Sequence, residues 1–188
     1  MYAHERTGKA MQWLNEPPRW QEQGSSLTVT TGPKTDFWRK THYGFVRDNG
    51  HFYYQEMSGN FTATVEIIGQ YNTLYDQAGL MLRVDEANWI KCGIEYVNGV
   101  QHVSAVVTRD FSDWSVVPVA QNPSALLLRV SRDGDAVEVR YSLDGANYIM
   151  LRLAHLTLED RVMVGPMAAS PDGDGFSVRF EGLKIEPA

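Results

Sequence analysis

The sequence contains little cysteine and no long apolar run. Its one cysteine, Cys92, cannot form a disulfide within the chain, so nothing in the composition calls for an oxidising compartment. No stretch approaches the roughly 20 apolar residues of a membrane helix. The first ten residues, MYAHERTGKA, lack an apolar segment of signal-peptide length. These absences predict a soluble protein of the cytoplasm that does not bind a membrane.

Basic charge is also scarce. The formal net charge is −6 and the isoelectric point is near 5.3, which argues against attraction to nucleic-acid phosphates. The length of 188 residues suits one domain. Residues 1–10 are polar and do not alternate, so we expect a disordered or non-native extension there and a single domain over 11–188.

Several catalytic and metal-binding motifs are missing. The chain has no E-x-D-x-x-E acid motif of jelly-roll glucanases, no G-x-S-x-G elbow and no phosphate-binding glycine loop. His42, Asp48 and His51 are candidate metal ligands, but their spacing does not match the compact paired-histidine motifs of zinc sites. Histidines that form hydrogen bonds in a structured loop explain the pattern as well. We therefore expect no metal and no cofactor.

The dominant positive signal is alternation of apolar and polar residues in short segments separated by turn residues. This pattern is typical of antiparallel strands, and long amphipathic helical patterns are absent. Asn98-Gly99, Asp133-Gly134 and Asp144-Gly145 indicate hairpin turns. The predicted strands cover about 27–31, 51–56, 60–70, 77–85, 89–97, 101–109, 113–119, 125–132, 136–143, 147–153, 161–168 and 175–186. Many short strands of this kind form a sandwich or a barrel.

The alternation assigns side chains to faces. Leu80 and Leu82 share one face of their strand, and Ile90 and Ile94 share one face of the next. These apolar sets are predicted to enter the core. The intervening residues lie on the opposite face, which should therefore be polar and aromatic; they are Gln77, Gly79, Met81, Arg83, Trp89, Lys91, Gly93 and Glu95.

Three ordered segments carry a family resemblance: TDFWRKTHYGFVRDNGHF (35–52), YDQAGLMLRVDEANWIKCGIEY (75–96) and SAVVTRDFSDWS (104–115). With them the chain resembles the regulation-of-enolase-like family, a domain family of unknown function, from about Trp13 to the C-terminus. The resemblance implies an all-β fold, a concanavalin A-like lectin/glucanase jelly-roll sandwich of two antiparallel sheets. It also implies one concave sheet, which is where related lectins and glucanases hold sugars. This fold-level analogy does not itself establish sugar binding.

The 35–52 segment is rich in functional groups. Asp36, Trp38, His42 and His51 are candidate pocket residues, with Trp38 as a platform for stacking. In the alternative interpretation the segment contains a turn and its aromatic residues cover the edge of the sandwich. Both interpretations remain open at this point.

The polar face supplies the other candidate ligand-binding residues: Tyr75, Asp76, Gln77, Arg83, Trp89, Lys91, Glu95 and Trp114. Cation, carboxylate, amide and indole groups together suit a polyhydroxylated ligand. The alternative for the charged members is a cross-strand ladder that keeps the sheet in solution. For Asp113 and Trp114 the alternative to a pocket rim is a bulged turn.

The sequence thus favours a ligand-binding module that takes a small molecule, a carbohydrate or related polar metabolite, on its concave face. Alanine at Lys91 or Glu95 is then expected to abolish binding and leave the melting temperature nearly unchanged. A second hypothesis is an enzyme acting on a sugar derivative, with Glu95 as the candidate acid or base and a second carboxyl group nearby. A third is a regulatory module that grips a protein partner, for which a wide, flat surface without a deep pocket is expected.

Overall fold

The computed structural model describes residues 10–119 and 121–188, and in these ranges it contains sixteen strands. The predicted extension, except for its last residue, lies outside the described residues. No helix among the residues described is long and apolar enough to cross a membrane. The strands are β1 (Gln12–Leu14), β2 (Arg19–Gln23), β3 (Ser26–Thr30), β4 (Phe37–Arg39), β5 (Val46–Asp48), β6 (His51–Ser58), β7 (Phe61–Gly69), β8 (Gln77–Arg83), β9 (Asn88–Val97), β10 (Val100–Arg109), β11 (Phe111–Val119), β12 (Leu126–Asp133), β13 (Ala136–Ser142), β14 (Ile149–His155), β15 (Arg161–Ala169) and β16 (Ser177–Pro187).

The strands form two seven-stranded antiparallel sheets stacked as a sandwich. The front sheet has the order β1-β6-β15-β8-β9-β10-β11, and the back sheet has the order β14-β13-β12-β7-β16-β3-β2. A separate hairpin pairs β4 with β5. The predicted all-β jelly-roll sandwich of two antiparallel sheets is confirmed.

All twelve predicted strands are present, and their ends differ from the predicted ones by at most two residues. Asn98 and Gly99 join β9 to β10 with φ of 51° and 82°, as a tight two-residue hairpin turn requires. Sequence reasoning missed β1, β2, β4 and β5, which have only three to five residues. The three-residue strands carry too few alternating positions to be recognised, and β2 (RWQEQ) has only one apolar residue.

The core between the two sheets contains the predicted apolar face. Leu80, Leu82 and Ile90 are fully buried there, and they pack in one cluster with Leu128 and Phe180 of the back sheet. Each such side chain contributes about 1.5–3 kcal/mol through removal of its apolar surface from water. This burial fixes the register of β8 and β9, because a shift by one residue would place their polar residues in the core.

The opposite face of the front sheet is covered too. Residues 35–50, which we call the cover segment, contain the β4–β5 hairpin and pack on it. Phe37 and Trp38 of the cover segment form a second apolar cluster with Met81 and Trp89 of the sheet. As a result β8 is buried along its whole length. The face that the sequence predicts to be open is therefore mostly closed, and only part of it reaches a cavity.

Candidate functional site

A cavity of about 220 Å³ remains between the cover segment and the front sheet, and we call it the pocket. Its base is formed by β8 and β9, and its walls come from the cover segment, from β11 and from the loops that precede β8 and follow β15. It is lined by Asp36, Trp38, Tyr43, Phe45, Arg47, Tyr75, Gln77, Lys91, Glu95, Trp114, Pro171 and Asp172.

Lys91 is buried at the base of the pocket, with its ammonium group fully engaged. Nζ donates to Gln77 Oε1 at 2.6 Å, to the carbonyl oxygen of Phe37 at 2.7 Å and to Asp36 Oδ1 at 3.4 Å. An ammonium group has three protons to donate, so these acceptors use all of them. Lys91 therefore joins the cover segment to the sheet and orients Gln77. The sequence-based expectation that alanine at 91 leaves stability unchanged does not fit this arrangement.

A pair of glycines allows the Lys91 side chain to extend to Gln77. Gln77 and Lys91 are separated on the sheet surface by the cross-strand pair Gly79 and Gly93. A Cβ atom at Gly79 would overlap the carbonyl oxygen of Cys92, so no larger residue fits. Without side chains on this pair, the Lys91 side chain has room to extend to the Gln77 amide.

Gln77 and Glu95 face each other across β8 and β9. Gln77 Nε2 donates to the carbonyl oxygen of Tyr75 at 3.2 Å. A carboxamide has two N–H groups, and within the described part of the chain the second has no acceptor. Since Oε1 is held by Lys91, the amide orientation is fixed and the second N–H remains as a donor for a ligand.

Glu95 is 8% exposed, and one of its oxygens carries both of its hydrogen bonds. Oε2 accepts from Ser104 Oγ and from Trp114 Nε1, each at 2.8 Å. Oε1 accepts no hydrogen bond from the residues described. Burial raises the pKa of the Glu95 carboxyl group, an effect that the nearby Lys91 charge and the two hydrogen bonds partly oppose. Glu95 thus presents one oriented oxygen to the pocket.

Aromatic rings surround the mouth of the pocket. Tyr75 meets Trp114 edge to face at a centroid distance of 6.3 Å, and Tyr43 stacks on Phe45 at 5.4 Å. A hydrogen bond with Tyr43 and partial burial raise the pKa of Tyr75 to about 12. The same contact links the cover segment to the loop before β8 across the mouth. Tyr43 remains 46% exposed, so one face of this rim is open to solvent.

Charged groups of both signs complete the walls. Asp36 Oδ1 accepts the Phe37 amide at 2.8 Å besides its contact with Lys91. The Arg47 guanidinium lies 4.4 Å from the Phe45 ring centroid. Asp172 lines the pocket from the loop after β15. The pocket thus combines oriented polar groups with aromatic surface, as small-molecule sites do.

Seven of the twelve sequence-predicted site residues line the pocket, and five do not. His42 lies outside it, in the groove described below. Trp89 is fully buried and packs against Phe37, so its indole cannot cover a sugar, and this expectation is wrong. Alternation assigned Trp89 to the correct face but did not reveal that Phe37 covers it.

The other three residues are engaged in structural contacts. His51 Nδ1 donates to the carbonyl oxygen of Asn15 at 2.6 Å and Nε2 accepts the Gly32 amide at 2.9 Å, which requires a neutral ring. Burial lowers the pKa of His51 accordingly. Asp76 is fully buried and caps the loop before β8, where it accepts two backbone amides and the Ser170 hydroxyl.

Arg83 forms a two-pronged ion pair with Asp48, at 2.6 and 2.8 Å. It therefore holds the end of the cover segment and does not face the pocket. Asp48 and His51 are each committed to a different partner, so the trio with His42 does not converge. Among residues 10–119 and 121–188 no three His, Cys, Asp or Glu side chains are grouped so that they could hold a metal ion.

A second, wider cavity of about 900 Å³ lies beside the pocket, and we call it the groove. It runs between β11 at the edge of the front sheet and β14 at the edge of the back sheet. Trp38, Tyr43 and Trp114 line both cavities. The remaining lining residues of the groove are Thr41, His42, Val107, Arg109, Phe111, Ser112, Asp113, Arg152, Leu153, Ala154 and His155.

Sequence reasoning missed five lining residues of the pocket: Tyr43, Phe45, Arg47, Pro171 and Asp172. Tyr43 and Arg47 lie in the segment already singled out for its aromatic and charged residues, and that density was a usable signal. Pro171 and Asp172 reach the pocket from a loop far along the chain, and no local pattern marks them.

The comparison with protein families agrees with this architecture. Residues 13–188 match the family described as "Protein of unknown function (DUF1349)". The chain belongs to this family. A curated relative, Regulation of enolase protein 1 of Saccharomyces cerevisiae, is 41% identical over 168 residues, which cover 89% of this chain and 85% of the relative. The predicted resemblance to the regulation-of-enolase-like family is therefore confirmed.

An uncharacterized protein of Emericella nidulans is 28% identical over 92% of each chain. Solved structures also show the fold. The crystal structure of a functionally unknown protein from Saccharomyces cerevisiae has a TM-score of 0.91 and 39% identity, and covers 95% of this chain and 96% of that one.

Two more distant structures are similar in fold alone. The carbohydrate binding module CBM66 from Bacillus subtilis has a TM-score of 0.58 and 12% identity, covering 96% of this chain and 97% of that one. The GH43 protein BlXynB from Bacillus licheniformis has a TM-score of 0.72 and 16% identity, covering 98% of this chain and 38% of that one.

Proposed function

We propose that this protein binds a small polyhydroxylated molecule of the carbohydrate class in the pocket. The observation that carries the proposal is the pair Gln77 and Glu95. Both are buried and line the pocket, and each has one hydrogen-bonding group without a partner within the described part of the chain. A ligand with neighbouring hydroxyl groups can donate to the Glu95 oxygen and accept from the Gln77 amide at the same time.

The aromatic rim supports a sugar over other small polar molecules. The faces of Trp38, Tyr43 and Trp114 offer apolar surface to C–H groups, while Gln77 and Glu95 offer hydrogen bonds to hydroxyls. At about 220 Å³ the pocket lies below the roughly 300–1,000 Å³ of pockets for drug-sized ligands. A single ring with its hydroxyls is the unit that suits this space. The similarity in fold to a carbohydrate binding module supports the same class.

The direct test is calorimetric titration with xylose, glucose, galactose, arabinose and fructose and their methyl glycosides. We expect binding of at least one of them. In Glu95→Gln the affinity should fall by about tenfold or more, because an amide does not reproduce the hydrogen bonds of the carboxyl group in its charged and neutral forms. Glu138→Gln, on the outer face of the back sheet, is the matched control and should bind as the wild type does. If none of these sugars binds, the proposal is wrong.

A second candidate is an enzyme that acts on a sugar derivative. It is favoured by one observation, the presence of Asp36 and Glu95 in one pocket with burial raising the pKa of Glu95. Hydrolysis of glycosides uses two carboxyl groups of different pKa. Release of nitrophenol from nitrophenyl glycosides by the wild type, lost in Glu95→Gln, is the expected result for this candidate.

The third candidate, a regulatory module for a protein partner, was expected to show a wide, flat surface without a pocket. The word "regulation" in the name of the yeast relative is its support. The pocket favours a small molecule over this alternative. The proposal keeps the cytoplasmic location expected from the single, buried Cys92, and it includes neither a nucleic acid nor a membrane as a partner.

A further inference from the structure

We infer that the pocket holds the terminal unit of an oligosaccharide and that the groove holds the units that follow it. This inference rests on the proposed function of the pocket and extends it to the length and orientation of the ligand. Its first basis is that Trp38, Tyr43 and Trp114 line both cavities. A chain that leaves the pocket across the open ring of Tyr43 enters the groove at once.

Phe111 is the second basis. Its ring lines the groove but not the pocket and is 58% exposed. Lys40 Nζ lies 5.0 Å from the ring centroid and also pairs with Asp110 at 2.6 Å. Arg39 donates to the same carboxylate at 3.0 Å. The ring is therefore placed by a local ionic network and offers apolar surface to the groove, as platforms for sugar rings do.

The far side of the groove supplies oriented donors. Arg152 of β14 donates to Ser115 Oγ at 3.2 Å and approaches Asp113 at 3.5 Å, so its guanidinium bridges the edges of the two sheets. A planar guanidinium in a fixed position binds vicinal oxygens well. Arg109 and His155 add polar groups along the same cavity. Aromatic surface mixed with charges of both signs favours a hydroxylated chain over an apolar peptide.

The volumes of the two cavities fit one sugar unit in the pocket and several units in the groove. The pocket, about 220 Å³, has Gln77, Lys91 and Glu95 at its base and takes one unit. The groove, about 900 Å³, is open along its length and takes several. Recognition then starts from a chain end, because the base of the pocket leaves no exit for a chain that passes through. The ligand class is an oligosaccharide bound by its terminus.

The experiment compares sugars of one to six units in the linear xylo-, cello-, malto- and fructo-oligosaccharide series by calorimetric titration. For the series whose monosaccharide binds, the trisaccharide should bind about tenfold more tightly than the monosaccharide. Phe111→Ala should remove that gain and leave the monosaccharide affinity unchanged. Arg152→Lys should also reduce the gain in trisaccharide affinity, since the ammonium group lacks the planar pair of donors of a guanidinium group. Leu158→Ala, which changes an 86% exposed side chain that lines neither cavity, is the control.

The outcomes separate this inference from the proposed function. Equal affinity for mono- and trisaccharides, or a gain that Phe111→Ala leaves intact, overturns the inference and leaves the pocket as a monosaccharide site. Tighter binding of an oligosaccharide whose two termini are both blocked by bulky groups also overturns it. If none of the monosaccharides binds, both the inference and the proposed function are wrong.

Discussion

Trp114 donates its indole N–H to Glu95 Oε2 at 2.8 Å, and the Ser104 hydroxyl donates to the same oxygen at 2.8 Å. The three residues come from the adjacent strands β11, β9 and β10. Since both donors share one oxygen, the second oxygen is oriented without being used. The orientation depends on the relative register of three strands, which makes it a sensitive point of the site.

Replacing Trp114 by phenylalanine should loosen Glu95. The variant keeps an aromatic ring but removes the donor, so we expect the free energy of unfolding to fall by about 2 kcal/mol. Sugar affinity should fall as well, because Glu95 then has only Ser104 to orient it. Urea denaturation and calorimetric titration measure the two effects. The matched control is Trp20→Phe, which removes an exposed indole bond to Glu16 and should change stability by less than about 1 kcal/mol. Equal losses in both variants would contradict the expectation.

Glu95 should also give the protein a characteristic dependence on pH. Burial raises the pKa of its carboxyl group above the ordinary value of 4.5, so the folded state binds this proton more tightly than the unfolded state does. The stabilisation from that proton is complete below pH 4.5 and is lost as pH rises through the raised pKa.

The measurement is the difference in unfolding free energy between the wild type and Glu95→Gln at a series of pH values. As pH rises above 4.5, the wild type should lose stability relative to Glu95→Gln. Subtraction of the variant removes the opposite trend of surface carboxyl groups such as Asp144, whose pKa is lowered by hydrogen bonds to its own turn. A difference that stays constant with pH would show that Glu95 titrates as an ordinary carboxyl group.

Lys91→Met should destabilise the fold. Methionine retains most of the volume but leaves Gln77 Oε1, the Phe37 carbonyl and the Asp36 carboxylate without their shared donor. Removal of one member of a buried ionic group costs about 3–5 kcal/mol. Lys184→Met, at an exposed position, is the control and should cost less than about 1 kcal/mol. Urea denaturation of both variants measures the two costs. An unchanged urea midpoint for Lys91→Met would show that Lys91 does not stabilise the fold and serves only as a cation for ligand binding.

The ion pair of Arg83 and Asp48 should matter more than a similar pair on the surface. The Arg83 side chain is 6% exposed and that of Asp48 is 31% exposed. Since Asp48 is partly solvated, we expect Asp48→Asn to cost about 2 kcal/mol. Glu138→Gln, which breaks a two-pronged pair with Arg140 in which both side chains are at least 33% exposed, should cost less than about 1 kcal/mol. Thermal unfolding of the two variants tests the difference, and similar melting temperatures would show that the cover segment does not depend on Asp48.

The alternation of apolar and polar residues correctly predicted the sheet face on which each side chain lies. Gln77, Lys91 and Glu95 were assigned to one face, and they meet at one cavity, because the side-chain period of a strand is fixed by its backbone. Alternation does not tell whether a face is covered. Trp89 and Arg83 were placed on the correct face, but the cover segment buries both. That covering depends on contacts such as Lys91 to Phe37, 54 residues apart, which no local pattern encodes.

The cover segment is anchored at several points along its length, by Arg83 on Asp48, by Lys91 on the Phe37 carbonyl and by Asp110 on Lys40. A wall restrained in this way has little conformational entropy left to lose when a ligand arrives. Association should then resemble the docking of two rigid bodies, with most of the affinity retained from the contacts themselves. The cost of shaping this site is met during folding, before any ligand is present.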